Sequence, residues 1–196
     1  DNKLQVVAEE INNSTEQTIA ISHWENHYID NTFSKVLNHG YLGNENLYKK
    51  LLFKGNCYST SAMTVKKSAI LKVGLFNESK SYFAVEDYDM WLRLAKSYEI
   101  HCMADYPSVS YRLHGNNLHK KIKHWDEDYL LIYSKHIDNP VAMRKFNSEL
   151  QHLALRDRSL ANQIIKTHKL NVSNKSLLLY LKYRVPFRLS KFFIKY

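Results

Sequence analysis

A change of hydrophobic rhythm near residue 118 constrains the fold of this chain more than any other feature. Before it, short β-branched runs alternate with short amphipathic ones. TIAISHW, with Thr18, Ile19 and Ile21, reads as a buried strand, and residues 57–65, EIHCMA and SVSYRLH read as further strands. LQVVAEEI places Leu4, Val7 and Ile11 at helical spacing, and KKSAILKV predicts a short helix closed by Gly74. Residues 25–55 are mixed, with loop signals at Asn38-His39-Gly40 and Gly43-Asn44. After residue 118 only helical periods remain: HWDEDYLLIYSKHI, then PVAMRKFNSELQHLALRDRSLANQIIKTHKL as one long run, then KSLLLYLKYRVPFRLSKFFIKY. Pro140 suits a helix start and Pro186 should break the last helix. The expectation is an α/β part over residues 1–118 and a helical extension over 119–196.

Charge follows the same boundary. Of a net charge of +9, residues 1–118 hold 12 Lys/Arg against 13 Asp/Glu, and residues 119–196 hold 16 against 6. The basic character therefore belongs to the extension, which argues against nucleic-acid binding by the first part. No apolar run reaches the length of a membrane span. The opening residues, DNKLQVVAEE, do not read as a signal peptide. Cys57 and Cys102 have no metal-type spacing, and the expectation is a reduced, intracellular chain.

Within the first part, AVEDYDMWLRLAKSYEI stands out. Met90, Trp91, Leu94, Ala95 and Tyr98 form one apolar helix face, and Asp89 and Arg93 are spaced for an exposed i,i+4 ion pair. Glu86 and Asp87 fall at the helix N-terminus, where negative charge is favoured by about 0.3–1 kcal/mol. One reading is structural throughout: Asp87 caps the helix and Glu86 is solvated. The other is a catalytic carboxylate with a helix built behind it.

The surrounding motifs favour the second reading. Val73-Gly74-Leu75-Phe76-Asn77-Glu78 matches V-G-x-F-[DN]-E, residues 86–93 match E-D-x-[DE]-[LM]-W-x-R, and Tyr111-Arg112-Leu113-His114-Gly115-Asn116-Asn117 matches Y-R-x-H-x-x-[NS]. In this order the three resemble the C-terminal half of the catalytic domain of family 2 glycosyltransferases, of GT-A fold. The likeness covers about residues 1–118 and is best from 57 to 118.

The resemblance implies an α/β fold containing part of a GT-A sheet. It also implies an inverting transfer from a nucleotide-sugar donor to a glycan or lipid-linked acceptor, as in bacterial surface polysaccharide assembly. Asp87 would be the general base and Glu86 would orient it or bind the acceptor. Trp91 would be a core anchor or a sugar-stacking platform. Ser59 and Ser61 would line the acceptor pocket. His114 would approach the diphosphate or metal, with Arg112 as a phosphate fork, although either could equally serve a structural role.

A divalent metal, Mg²⁺ or Mn²⁺, is expected in the complete enzyme to neutralise the leaving diphosphate. Its Asp-x-Asp motif precedes a segment resembling D-N-K-L-Q in the family. Neither Asp87-Tyr88-Asp89 nor Asp126-Glu127-Asp128 stands in that place, so the metal motif is absent from this chain. The expectation is a fragment lacking the nucleotide-binding half, inactive and marginally stable alone.

The last 22 residues hold six Lys/Arg and no acid, among many Leu, Tyr, Phe and Ile. They could form a helix that lies on an anionic membrane surface, with Leu177, Leu178, Leu181, Phe192 and Phe193 inserting. They could equally form a helix packed on the protein with a solvated basic face. Nucleic-acid binding is the weakest of the three readings, and a non-catalytic remnant stays open beside the enzyme. The expected location is the cytoplasm, with peripheral attachment to the inner face of the cytoplasmic membrane.

Overall fold

A computed structural model of the chain describes residues 2–15, 17–37, 46–117, 126–184 and 186. The chain divides into two compact units, Asp1–Lys123 and His124–Tyr196.

The first unit is mixed α/β. Helix α1 (Lys3–Asn13) leads into strand β1 (Thr18–Ile29), which is the centre of a mixed, open, four-stranded sheet among the described residues. Strand β4 (Glu99–Leu113) runs parallel along one edge of β1, from Thr18↔Glu99 to Ile29↔Leu113. Two antiparallel strands share the other edge. Strand β3 (Met63–Val65) pairs with Ala20, Ile21 and Ser22, and strand β2 (Thr32–Leu37) pairs from Glu25 to Ile29. Thr18 to His23 are all buried, as a central strand covered on both faces requires. One face is covered by α1, where Val7 packs with Ile21 and Met103.

Several local features depart from the expectation, each for an identifiable reason. EIHCMA and SVSYRLH belong to one strand, but the pairing jumps from Ser22↔Cys102 to Trp24↔Pro107. Residues 103–106 bulge out of the ladder just before Pro107, which cannot donate to it. Residues 57–65 do not form one strand. A 3₁₀ turn at Thr60–Ala62, closed by the Ala62 N–H on the Ser59 carbonyl (3.1 Å), leaves only β3. Within the mixed stretch, β1 and β2 form a hairpin through Asp30 and Asn31. Both have positive φ (47° and 64°), as a two-residue hairpin turn of this hand needs. Helix α2 (Leu47–Lys54) follows, capped by Asn46, whose Oδ1 accepts from the Lys49 N–H at 3.0 Å. The loop signals at 38–40 and 43–44 lie outside the described residues.

Helix α3 (Lys67–Val73) ends at Gly74, as the sequence predicts. Gly74 has φ +90°, a conformation costly for side chains with a Cβ, and an added Cβ would stand 3.4 Å from the Arg93 guanidinium. Helix α4 (Glu86–Ser97) then runs through the core. Tyr88, Met90, Trp91, Leu92 and Leu94 are all buried. The Tyr88 hydroxyl donates to the Leu51 carbonyl at 2.8 Å and ties α4 to α2.

The second unit is helical: α5 (Asp126–Ser134), α6 (Pro140–Arg156), α7 (Arg158–Thr167) and α8 (Lys175–Tyr183). Pro140 occupies the first turn of α6, behind an Asn139 cap. The single run predicted from 140 breaks at Asp157. Asp157 leaves helical geometry (φ −146°, ψ 95°) and caps α7 by accepting from the Leu160 N–H at 2.9 Å. Leu130, Ile132, Phe146, Leu150, Leu153, Ala161, Leu177 and Leu181 form its interior. The assignment of Leu177 and Leu181 as membrane-inserting groups is thereby corrected: both are buried where α8 packs against α6 and α7, and only Leu178 is exposed. Helix α8 ends at Tyr183 with Arg184 left-handed (φ 58°), two residues before Pro186. Phe192 and Phe193 lie outside the described residues. Among the described residues no helix is long and apolar enough to cross a membrane.

Candidate functional site

The site is built on the first turn of α4. Ala84, two residues before Glu86, is held in a left-handed conformation (φ 67°) that a residue with a Cβ adopts at a cost. Val85 occupies the N-cap and supplies no side-chain bond, so the carboxylates of the first turn are not spent on capping in the usual way. The reading of Asp87 as cap and Glu86 as solvated acid is corrected on both counts. Asp87 lies one residue inside the helix, and its Oδ1 accepts from the adjacent Tyr88 N–H at 2.6 Å. Glu86 is half-buried, and its Oε2 is enclosed without a hydrogen-bond partner.

Two further donors reach Asp87 from residues 56–60. Asn56 Nδ2 donates to Oδ1 and the Thr60 hydroxyl to Oδ2, each at 3.3 Å. Asn56 is itself oriented, because its Oδ1 accepts from the Tyr58 N–H at 3.1 Å. Burial pushes the Asp87 carboxyl up to about 6, with repulsion from Glu86 adding to it. The three hydrogen bonds hold it from rising further. A carboxylate of this kind, half-buried and poised just below neutrality, can accept a proton from a bound hydroxyl.

Ser59 and Ser61 flank Thr60, and both hydroxyls donate to Glu25 Oε1, Ser61 at 2.9 Å. Glu25 is on β1, only 1% exposed, and its Oε2 pairs with His27 Nε2 at 3.2 Å. The His27 ring stacks on Tyr111, with centroids 5.0 Å apart. Sequence reasoning missed Glu25. A lone acid in a strand carries no spacing signal, and only the crossing of β1 by the 59–61 turn reveals its partners.

Arg112 and His114, at the end of β4, are both exposed. Their segment is knitted by its own bonds: the His114 N–H donates to Asn117 Oδ1, the Asn116 N–H to His114 Nδ1 at 3.2 Å, and Asn117 Nδ2 to the Arg112 carbonyl at 3.2 Å. Neither side chain bonds Glu86 or Asp87. The segment connects to the site through Tyr111, His27 and Glu25.

Trp91 is a core residue. It is 1% exposed, donates Nε1–H to the Tyr58 carbonyl at 3.3 Å and meets Phe76 edge to face. Its ring offers no free face for a sugar to stack on, so its place is behind the site. The expected exposed pair of Asp89 and Arg93 is instead partly enclosed: Asp89 is 1% exposed, Arg93 is partly covered, and its Nη2 lies 2.9 Å from Asp89. Arg93 also donates to the carbonyls of Val73, Gly74 and Leu75 at 2.8, 2.7 and 3.0 Å. It thereby fastens the last turn of α3 and the V-G-L-F segment to α4.

Because Asp89 is turned onto Arg93, Asp87-Tyr88-Asp89 does not converge on a common point, and the guanidinium already supplies its countercharge. Glu127 of Asp126-Glu127-Asp128 pairs with Arg156 at 3.0 Å. Among the described residues no group of three His, Cys, Asp or Glu could hold a metal ion. No protein-family model matches the chain, and no curated protein matches its sequence.

Proposed function

We propose that the first unit is part of a GT-A-type glycosyltransferase domain. The reaction is an inverting transfer of a sugar from a nucleotide-sugar donor to a glycan or lipid-linked acceptor, at the cytoplasmic face of a surface-polysaccharide pathway. The observation that carries the reading is Asp87. It is a half-buried carboxylate at the mouth of a helix, with its pKa raised to about 6 and set among the hydroxyl and amide groups of residues 56–61. The mixed sheet, with β1 between a parallel and an antiparallel partner, agrees with part of a GT-A sheet.

In this reading Asp87 accepts the proton of the acceptor hydroxyl as that oxygen attacks the anomeric carbon. Glu86, beside it, keeps Asp87 basic by repulsion and is available to bind the acceptor. Ser59, Thr60 and Ser61 shape the acceptor side. Arg112 and His114, both exposed, take the donor's diphosphate in this reading. A divalent cation, held by the Asp-x-Asp motif of the donor-binding half, supplies charge neutralisation of the leaving group when bound. Among the described residues no group of His, Cys, Asp or Glu fits that role.

The test is Asp87→Asn in the complete enzyme that carries this half. Turnover should fall roughly 10²–10⁴-fold while nucleotide-sugar affinity is largely kept. Turnover equal to the parent's would reject Asp87 as the base.

A further inference from the structure

We propose that Glu25 is a positioning residue, whose buried carboxylate fixes the 59–61 turn and through it the direction in which Asp87 points. The proposal deepens the reading of Asp87 as the site's base and rests on it. Its starting point is an oddity of placement. Residues 18–23 of β1 are uniformly buried, and Glu25 continues that interior at 1% exposure. A carboxylate there is costly unless every oxygen finds a donor, and an apolar side chain would suit a central strand better. Glu25 is satisfied by donors from the Ser59 and Ser61 hydroxyls and from His27. It is too enclosed to touch a ligand, so its effect must pass through those partners.

The partners lead to the site. Ser59 and Ser61 grip Glu25, and Thr60 between them grips Asp87. One short turn thus spans two carboxylates from two separate elements, β1 and α4. The bonds from Thr60 and Asn56 to Asp87 are both 3.3 Å, near the long end of useful hydrogen bonding. A shift of the turn by a few tenths of an ångström would break them. On its other side Glu25 holds His27, which stacks on Tyr111 next to Arg112. The same carboxylate therefore links the acceptor-side turn to the strand end carrying the two groups assigned to the diphosphate.

The experiment uses the whole 196-residue chain in three variants: E25A, E25Q and the double variant S59A/S61A. Two quantities are read by NMR: hydrogen exchange of the Ala62 amide, which closes the turn, and the titration of the Asp87 side chain. E25A and S59A/S61A should each speed Ala62 exchange by about 10-fold or more, as loss of bonds to a charged group implies. The Asp87 midpoint should fall from about 6 toward the ordinary value near 4 as water enters. The α4 amides of Met90 to Leu94 should stay protected. E25Q keeps an oxygen acceptor without the charge and should retain most of both properties.

Unchanged Ala62 exchange and Asp87 titration in S59A/S61A would overturn the proposal. So would an Asp87 shift in E25Q as large as in E25A, which would mark a through-space charge effect. Loss of α4 protection in all three variants would make Glu25 a general prop of the core, and the proposal would fail. None of these readouts measures transfer, so a failed Asp87→Asn turnover test would leave them standing and reject only the proposed chemistry.

Discussion

Replacing Arg93 with alanine should cost the first unit about 3–5 kcal/mol, the range for removing one partner of a buried ion pair. Asp89 is 1% exposed and has its countercharge at 2.9 Å, so losing the guanidinium takes that countercharge from a buried carboxylate. The carbonyls of Val73, Gly74 and Leu75 lose their donor too. Those of Gly74 and Leu75 lie toward solvent and can recruit water, so they add little to the cost. A loss of this size is a large part of the 5–15 kcal/mol or so that holds a domain together. Arg93→Lys keeps the charge but cannot fork across three carbonyls and a carboxylate, and should cost about 1–2 kcal/mol. The double variant D89N/R93A buries no charge and should be more stable than R93A alone. Urea unfolding reports this through Trp24 and Trp91, in a W125F background that removes the tryptophan of the second unit. If R93A lies within about 0.5 kcal/mol of the parent, or if D89N/R93A is no better than R93A, the desolvation argument is wrong.

Asp87 has its folded-state carboxyl raised to about 6 and its unfolded value near 4, so it weakens the fold by about 2–3 kcal/mol above pH 6 and not at all below pH 4. Asp87→Asn should therefore raise the urea midpoint at pH 7 and leave it unchanged at pH 4. His23 acts in the opposite sense: burial, with help from Lys3, lowers it from 6.5 to about 4, so its stabilising contribution is full above 6.5 and lost as pH falls through 4. His23→Gln should leave a first unit whose stability declines from pH 4 to 6.5, where the parent changes little because the two groups offset each other. A chain ending at Asn174 loses Leu177 and Leu181, buried side chains worth roughly 2–5 kcal/mol each. Circular dichroism should then show the second unit's helices melting at ordinary temperature.

What could be read in the sequence was what depends on neighbours along the chain. Helix α1, the Gly74 stop, the strand character of TIAISHW and the helical nature of residues after 126 all follow from local spacing. The position of Glu86 and Asp87 at a helix start was legible for the same reason. Properties set by crossings of distant segments were not. Asp89 and Arg93 look like a surface pair, because i,i+4 spacing says nothing of what covers it. Here α3 and the V-G-L-F segment do. Leu177 and Leu181 look lipid-facing until α6 and α7 are placed against them. Glu25 and His27 carry no local signal at all, and the 59–61 turn bonded to Glu25 reads as strand because small and β-branched residues favour both. The hairpin at Asp30-Asn31 was legible in principle from its turn residues, but the following β2 is exposed almost throughout and lacks the alternation that marks a half-buried strand.

The value reached by Asp87 decides whether it is suited to the proposed role. Two influences at a helix start pull a carboxylate down: the dipole and the nearest free N–H, here that of Tyr88. Acting alone they would leave a weak base, ionised but unreactive. Burial and the neighbouring Glu86 pull the other way and prevail, and the group settles near 6. At pH 7 a group with that pKa is about 90% ionised, while its affinity for a proton is roughly 100-fold above that of an ordinary aspartate. A higher value would leave too little of the ionised form, and a lower one too little basicity. Glu86 thus acts on Asp87 whether or not it also meets the acceptor. Its Oε2 is enclosed and unpartnered, and Glu86 is among the influences that raise Asp87. This accounts for two acids in succession where one would serve to favour the helix, and for the run of polar side chains at 56–61 that limits how far the second of them can rise.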